Sequence, residues 1–166
     1  MKKVYKKNSG YAILELLFYI AIFVVLTLVL INVMLSMAKS FKETSLQTEW
    51  VQSGTIMERI SREIRQAYDI GSISTSDIVL NTKDSNGNNK TVEFVLSGTD
   101  LQLLENGVLT GNLNTPNIAV GALNFTQITT TTGKAVKVLL TIKSKNDVFS
   151  RNQNFYDTIV LRGTYK

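Results

Sequence analysis

From Leu16 to Ile31 the chain reads LLFYIAIFVVLTLVLI, a run whose only polar side-chain groups are the Tyr19 hydroxyl and Thr27. Widening the window to Ala12 and Met37 adds only Glu15, Asn32 and Ser36. A helix needs about 20 residues to cross the hydrocarbon core of a bilayer, and this stretch is long enough. Its apolar residues would cover every face of a helix. A helix on the surface of a water-soluble domain confines them to one stripe. The rest of the chain must fold around or apart from a rod suited to lipid.

A secretory signal peptide would have a shorter apolar region followed by a small-residue cleavage site. Neither condition is met before Lys39. An ordinary single-pass anchor accounts for the length and the flanking lysines, but not for Glu15 just inside the apolar boundary. An unpaired carboxylate there costs at least about 3 kcal/mol, so a partner or a functional reason is expected. The bland alternative is a side chain that snorkels to the headgroups.

Charge follows the same division. The chain carries a net +5, and Lys2, Lys3, Lys6 and Lys7 all precede Gly10. Removing those four from 18 basic side chains leaves 14 against 13 acidic ones. The high sequence pI of 9.4 therefore belongs largely to a leader, where positive charge marks the cytoplasmic side of a membrane. No cysteine or histidine is present, which excludes disulfides and thiolate or imidazole catalysis. No nucleophile–base set, metal-ligand cluster or phosphate-binding glycine loop stands out. The expectation is a protein that is not an enzyme, with no cofactor, metal, nucleic-acid partner or small-molecule substrate.

The segment KKNSGYAILELLFYIAIF resembles the N-terminus of type IV prepilins. In that family a short basic leader ends in glycine, an aromatic or apolar residue follows, and a glutamate comes five residues into the mature chain. The matching positions are Gly10, Tyr11 and Glu15. The resemblance implies that a membrane-embedded prepilin peptidase cuts between Gly10 and Tyr11 and methylates the new terminus. It further implies that Glu15 of one subunit neutralises the α-amino group of its neighbour. Tyr11 stands where phenylalanine is commoner, and Ala12 where threonine or serine is. Asn32 lies where many major pilins have a helix-breaking proline, so a continuous helix is expected with Asn32 as a weak spot.

Past Met37 the pattern becomes amphipathic. Leu46, Trp50, Met57, Ile60 and Ile64 recur at helical spacing, with Ser53 and Ala67 in the same stripe. Glu58, Arg59, Arg62, Glu63 and Arg65 fall mostly off it, and Glu58–Arg62 and Arg59–Glu63 are i,i+4 pairs of opposite charge. One helix is predicted over 12–68. From Gly71 onward the chain turns to β character, with strands predicted at 78–80, 91–96, 100–104, 122–128, 137–143 and 156–162. Polar turns join them, among them Asp84–Asn89 and Ser97–Asp100. Val92, Phe94 and Leu96 alternate on one strand, and Val138, Leu140 and Ile142 on another.

Asp84–Asn89 opens like a calcium loop but lacks its closing glutamate, since Val95 stands at the twelfth position; a plain hairpin turn fits better. Asn89-Lys90-Thr91 and Asn124-Phe125-Thr126 match the glycosylation sequon, a weak pattern.

The expected fold class is α+β: a pilin-like lollipop in which a long helix has an apolar half and an amphipathic half packed on an antiparallel sheet. The domains read as a leader at 1–10, a membrane or filament-core helix at 11–38, its amphipathic continuation at 39–68 and an exported β-rich domain at 69–166. The helix, the run ISREIRQA and the β-rich half look similar to the minor pseudopilin J and minor pilin W group. That likeness implies a subunit of a type IV pilus, a type II secretion system or a DNA-uptake machine. Its partners would be other pilins, the prepilin peptidase and the membrane. The implied location is the bacterial inner membrane, with a cytoplasmic N-terminus before cleavage, and then the pilus. The alternatives are an adhesin or DNA-binding module displayed on the filament, and an ordinary anchored exported domain.

Overall fold

The computed structural model describes residues 9–131 and 133–164. Of the expected leader, residues 1–8 with their four lysines lie outside the described residues. The chain divides into two compact units, Met1–Thr44 and Ser45–Lys166. One helix, α1 (Ser9–Gln66), contributes to both and runs unbroken through Asn32.

In the first unit, α1 buries nothing of its own. The apolar side chains from Tyr11 to Met37 are exposed along its length, and Thr27 alone there is partly covered. Thr27 returns its hydroxyl to the Phe23 carbonyl at 2.8 Å, which satisfies it without leaving the helix. Among the described residues this is the one helix long and apolar enough to cross a membrane.

In the second unit, α1 packs on two antiparallel meanders. The first contains β1 (Asp69–Ile73), β2 (Asp77–Lys83), β3 (Asn89–Ser97), β4 (Asp100–Glu105) and β5 (Val108–Asn112), paired in that order. The second contains β6 (Ile118–Thr129), β7 (Lys134–Ser144) and β8 (Asn152–Val160), again in order. A short 3-10 turn, Arg162–Thr164, follows. The α+β class is as expected, but there are two sheets rather than one. Alternation along a strand says which side is buried and not which sheet the strand joins.

Ile56, Ile60 and Ile64 of α1 share one core with Ile78, Leu80 and Phe94 of the first sheet and Val138, Leu140 and Ile159 of the second. Fully burying one such side chain stabilises the fold by about 1.5–3 kcal/mol. The expected alternation on β3 and β7 holds, with Val92, Phe94, Val138, Leu140 and Ile142 all buried and Leu96 packed against the core. On β6 a bulge between Val120 and Ala122 shifts the phase, so Ile118 and Val120 face inward before it and Leu123 and Phe125 after it.

The helix ends two residues before the expected Tyr68. The Tyr68 N–H donates to the Asn81 carbonyl at 2.9 Å, so the backbone has already joined the sheet. Gly163 then lies against that junction, where an added Cβ would come within 2.3 Å of the Tyr68 Cα.

Two strands were not foreseen. β1 contains Gly71 and Ser72 and has a bulge between Ile70 and Ser72, which hides any alternation. β5 is an exposed edge, but a signal for it is present. Asn106 and Gly107 both have positive φ, 53° and 76°, and close a two-residue hairpin between Glu105 and Val108. Asn-Gly is the residue pair such a turn favours.

Candidate functional site

The residues singled out for processing and assembly lie at the start of α1. Gly10 and Tyr11 fall in its first turn, with Tyr11 exposed. Glu15 is also exposed, and the Tyr19 hydroxyl, one turn later, donates to Glu15 Oε1 at 3.1 Å. A helix brings residues four apart onto one face, so the pair follows directly from the spacing. In hydrocarbon a hydroxyl is a weak counterpart for a full negative charge, and a cationic partner would still be strongly favoured.

The second unit holds three polar arrangements, two of which the sequence did not announce. The first is a clip between helix and sheet edge. The Ser61 hydroxyl donates to Asp157 Oδ2 at 2.8 Å, and the Thr158 N–H donates to Asp157 Oδ1 at 2.8 Å. The Asp157 carboxylate thus ties β8 to α1 and occupies an edge N–H that another strand could otherwise pair with. Beside it runs an open groove of about 740 Å³, lined by Gly54, Met57, Glu58, Arg62, Arg65 and Arg162 among others. Of the two expected helix ion pairs, Arg59–Glu63 forms at 3.0 Å. Glu58 and Arg62 instead line this groove. Glu63, expected off the buried stripe, is buried under that ion pair.

The second arrangement joins α1 to the β7–β8 connection. Glu49 is 6% exposed, and its Oε1 accepts from the Asn146 side-chain amide at 3.0 Å. Trp50, expected in the buried stripe, is only partly covered. The Arg151 guanidinium lies over its ring at 5.1 Å from the centroid. The connection is organised by Asp147, whose carboxylate accepts from the Phe149 N–H at 3.2 Å and from the Arg151 N–H and Nε, each at 2.9 Å. The Arg151 side-chain bond, reinforced by these amides, lowers the Asp147 carboxyl to about 2.

The third is the Asp84 turn. Asp84 Oδ1 accepts from the Asn86 and Asn88 N–H groups at 2.8 Å each, and Oδ2 accepts from the Asn88 side chain at 3.1 Å. The Asn88 side-chain bond and the turn amides lower the Asp84 carboxyl below its ordinary value. The carboxylate closes its own turn, as a plain hairpin requires.

Among the described residues no three His, Cys, Asp or Glu side chains converge as a metal-ligand group. No family model, curated protein or solved structure matches the chain.

Proposed function

We propose that this chain is a prepilin-type precursor, cut between Gly10 and Tyr11 by a prepilin peptidase. Its mature form enters a pilus-like filament as a minor pilin or pseudopilin. The observation that carries this reading is the ordered joint occurrence of a lysine-rich leader, Gly10, Tyr11, Glu15 and the apolar run through Ile31. A helix with its apolar side chains exposed on all faces supports it, because such a rod can pass from lipid into a bundle of like helices. The Glu15 carboxylate, held in that apolar stretch with a tyrosine hydroxyl as its neighbour, suits a role in which cleavage supplies the missing cation. The new α-amino group at Tyr11 of an adjacent subunit would be that cation. Attraction between opposite charges in a low-dielectric bundle is strong, although desolvation offsets much of it.

The direct test of pairing is Glu15→Ala. The expected outcome is normal cleavage, normal membrane insertion and at least about a tenfold loss of filament-incorporated subunit, a loss equivalent to roughly 1.4 kcal/mol. Incorporation at the wild-type level would remove the pairing role from Glu15. Loss of cleavage together with incorporation would place the glutamate in peptidase recognition instead.

A further inference from the structure

The β7–β8 connection spends much of its polar chemistry on holding two apolar side chains in solvent. Asp147 is buried, and its carboxylate accepts from the Phe149 and Arg151 N–H groups and from the Arg151 side chain. The Ser150 N–H donates to the Asp147 carbonyl at 3.0 Å, and Ser150 takes a left-handed φ of 52°. That conformation is uncommon for a residue with a Cβ. Between these fixed points Val148 is 73% exposed and Phe149 is 81% exposed. The intramolecular core does not use them. A disordered loop would bury such residues transiently or tolerate polar ones, whereas this one is built to present them.

We propose that the Val148–Phe149 tip docks on a lipid bilayer, entering the boundary between headgroups and acyl chains. The proposal rests on the membrane-anchoring part of the reading above and not on filament assembly. Three observations favour lipid over a protein pocket as the occupant. The tip is convex and apolar, a shape that a fluid interface accepts without a matching cavity. The cations on its flanks are exposed Lys145 and partly exposed Arg151, the latter ion-paired with buried Asp147. An aromatic residue beside lysine and arginine is the composition of interfacial anchors. The base of the loop, through Asn146 and Arg151, touches Glu49 and Trp50 in the part of α1 nearest Ser45. That is the end at which the apolar segment joins the domain along the chain. An anchored domain meets its own membrane at high effective concentration, so even a two-residue wedge can engage it.

The chain has no cysteine, so Val148→Cys supplies a single site for a nitroxide label. The full chain would be reconstituted in vesicles of phosphatidylethanolamine and phosphatidylglycerol. Label collision with oxygen and with a water-soluble nickel chelate would then be compared. Val108→Cys, on the exposed β4–β5 hairpin, gives a water reference, and Leu30→Cys gives a hydrocarbon reference. The proposal expects the label at 148 to shift toward oxygen and away from nickel relative to the label at 108. Equal nickel access at 148 and 108, with the label at 30 in lipid, overturns the docking and leaves the anchor intact. A water-accessible label at 30 overturns the anchor and the docking together. A label at 148 immobilised without a gain in oxygen access points to a protein partner and also overturns the proposal.

Discussion

The two regions through which α1 passes use apolar side chains in opposite ways. From Tyr11 to Met37 the helix is more apolar than anywhere else in the chain and buries none of it within the protein. From Leu46 to Gln66 it has fewer apolar residues, and Leu46, Ile56, Met57, Ile60 and Ile64 are each at most 7% exposed. Composition alone would rank the first region as the better core. Periodicity reverses the ranking, because a one-sided stripe is matched to sheets within the same chain. An all-round apolar surface is matched to a solvent or partners outside it. The same helix therefore contributes to domain stability in its second region only.

This contrast is sharpest when one deletion is made in each region. Ile64→Ala removes buried methyl groups from a fully enclosed site and is expected to cost the domain about 2–5 kcal/mol, read as a fall in its unfolding midpoint in denaturant. Leu26→Ala, in the exposed apolar run, should leave that midpoint where it was. A comparable fall in both variants would break the distinction. Gly163→Ala tests the junction just past the C-terminal end of the same helix. The added methyl group meets the Tyr68 backbone, and a loss of about 1–3 kcal/mol is expected from the forced displacement. Wild-type stability in that variant would mean that the C-terminal turn moves aside freely.

The smallest effect is on pH dependence and belongs to the β7–β8 loop. The Asp147 carboxyl is lower in the folded chain than in the unfolded one, so its stabilising contribution is complete above the ordinary carboxylate range. It is lost as pH falls through about 2. The protection of the Phe149 and Arg151 amides, measured as exchange relative to the intrinsic rate at the same pH, should hold at pH 5 and fall only as the solution is taken below pH 4. In Asp147→Asn both amides should exchange faster at neutral pH, with little change in the core strands.

Much of the fold was legible because it follows from repeating patterns. The stripe through Ile60 and Ile64 and the alternation through Phe94 and Leu140 each give a periodic signal several residues long. The strands at β1 and β5 lacked such a signal. Gly71 and Ser72 interrupt the first at a bulge, and the second is an edge on which Val108 and Leu109 are both exposed. Asn106-Gly107 was nevertheless an available marker for the latter, because left-handed conformations at two successive residues favour that pair. β8 begins at Asn152, earlier than expected, because Asn152-Gln153-Asn154 pair with Lys143, Ile142 and Thr141 without apolar alternation of their own. The polar contacts were the least legible part. Ser61 and Asp157 lie 96 residues apart, and Glu49 and Asn146 lie 97 apart, so only the folded backbone brings them together. Glu15 and Tyr19 are the contrary case, since helical spacing alone predicts their contact.

The central claim is that the working molecule begins at Tyr11. N-terminal sequencing of the membrane-associated protein, from cells with and without a functional prepilin peptidase, tests it most directly. Tyr11 is expected as the first residue when the peptidase is present and an intact lysine-rich leader when it is absent. Retention of Met1 and the four lysines in both strains would contradict it.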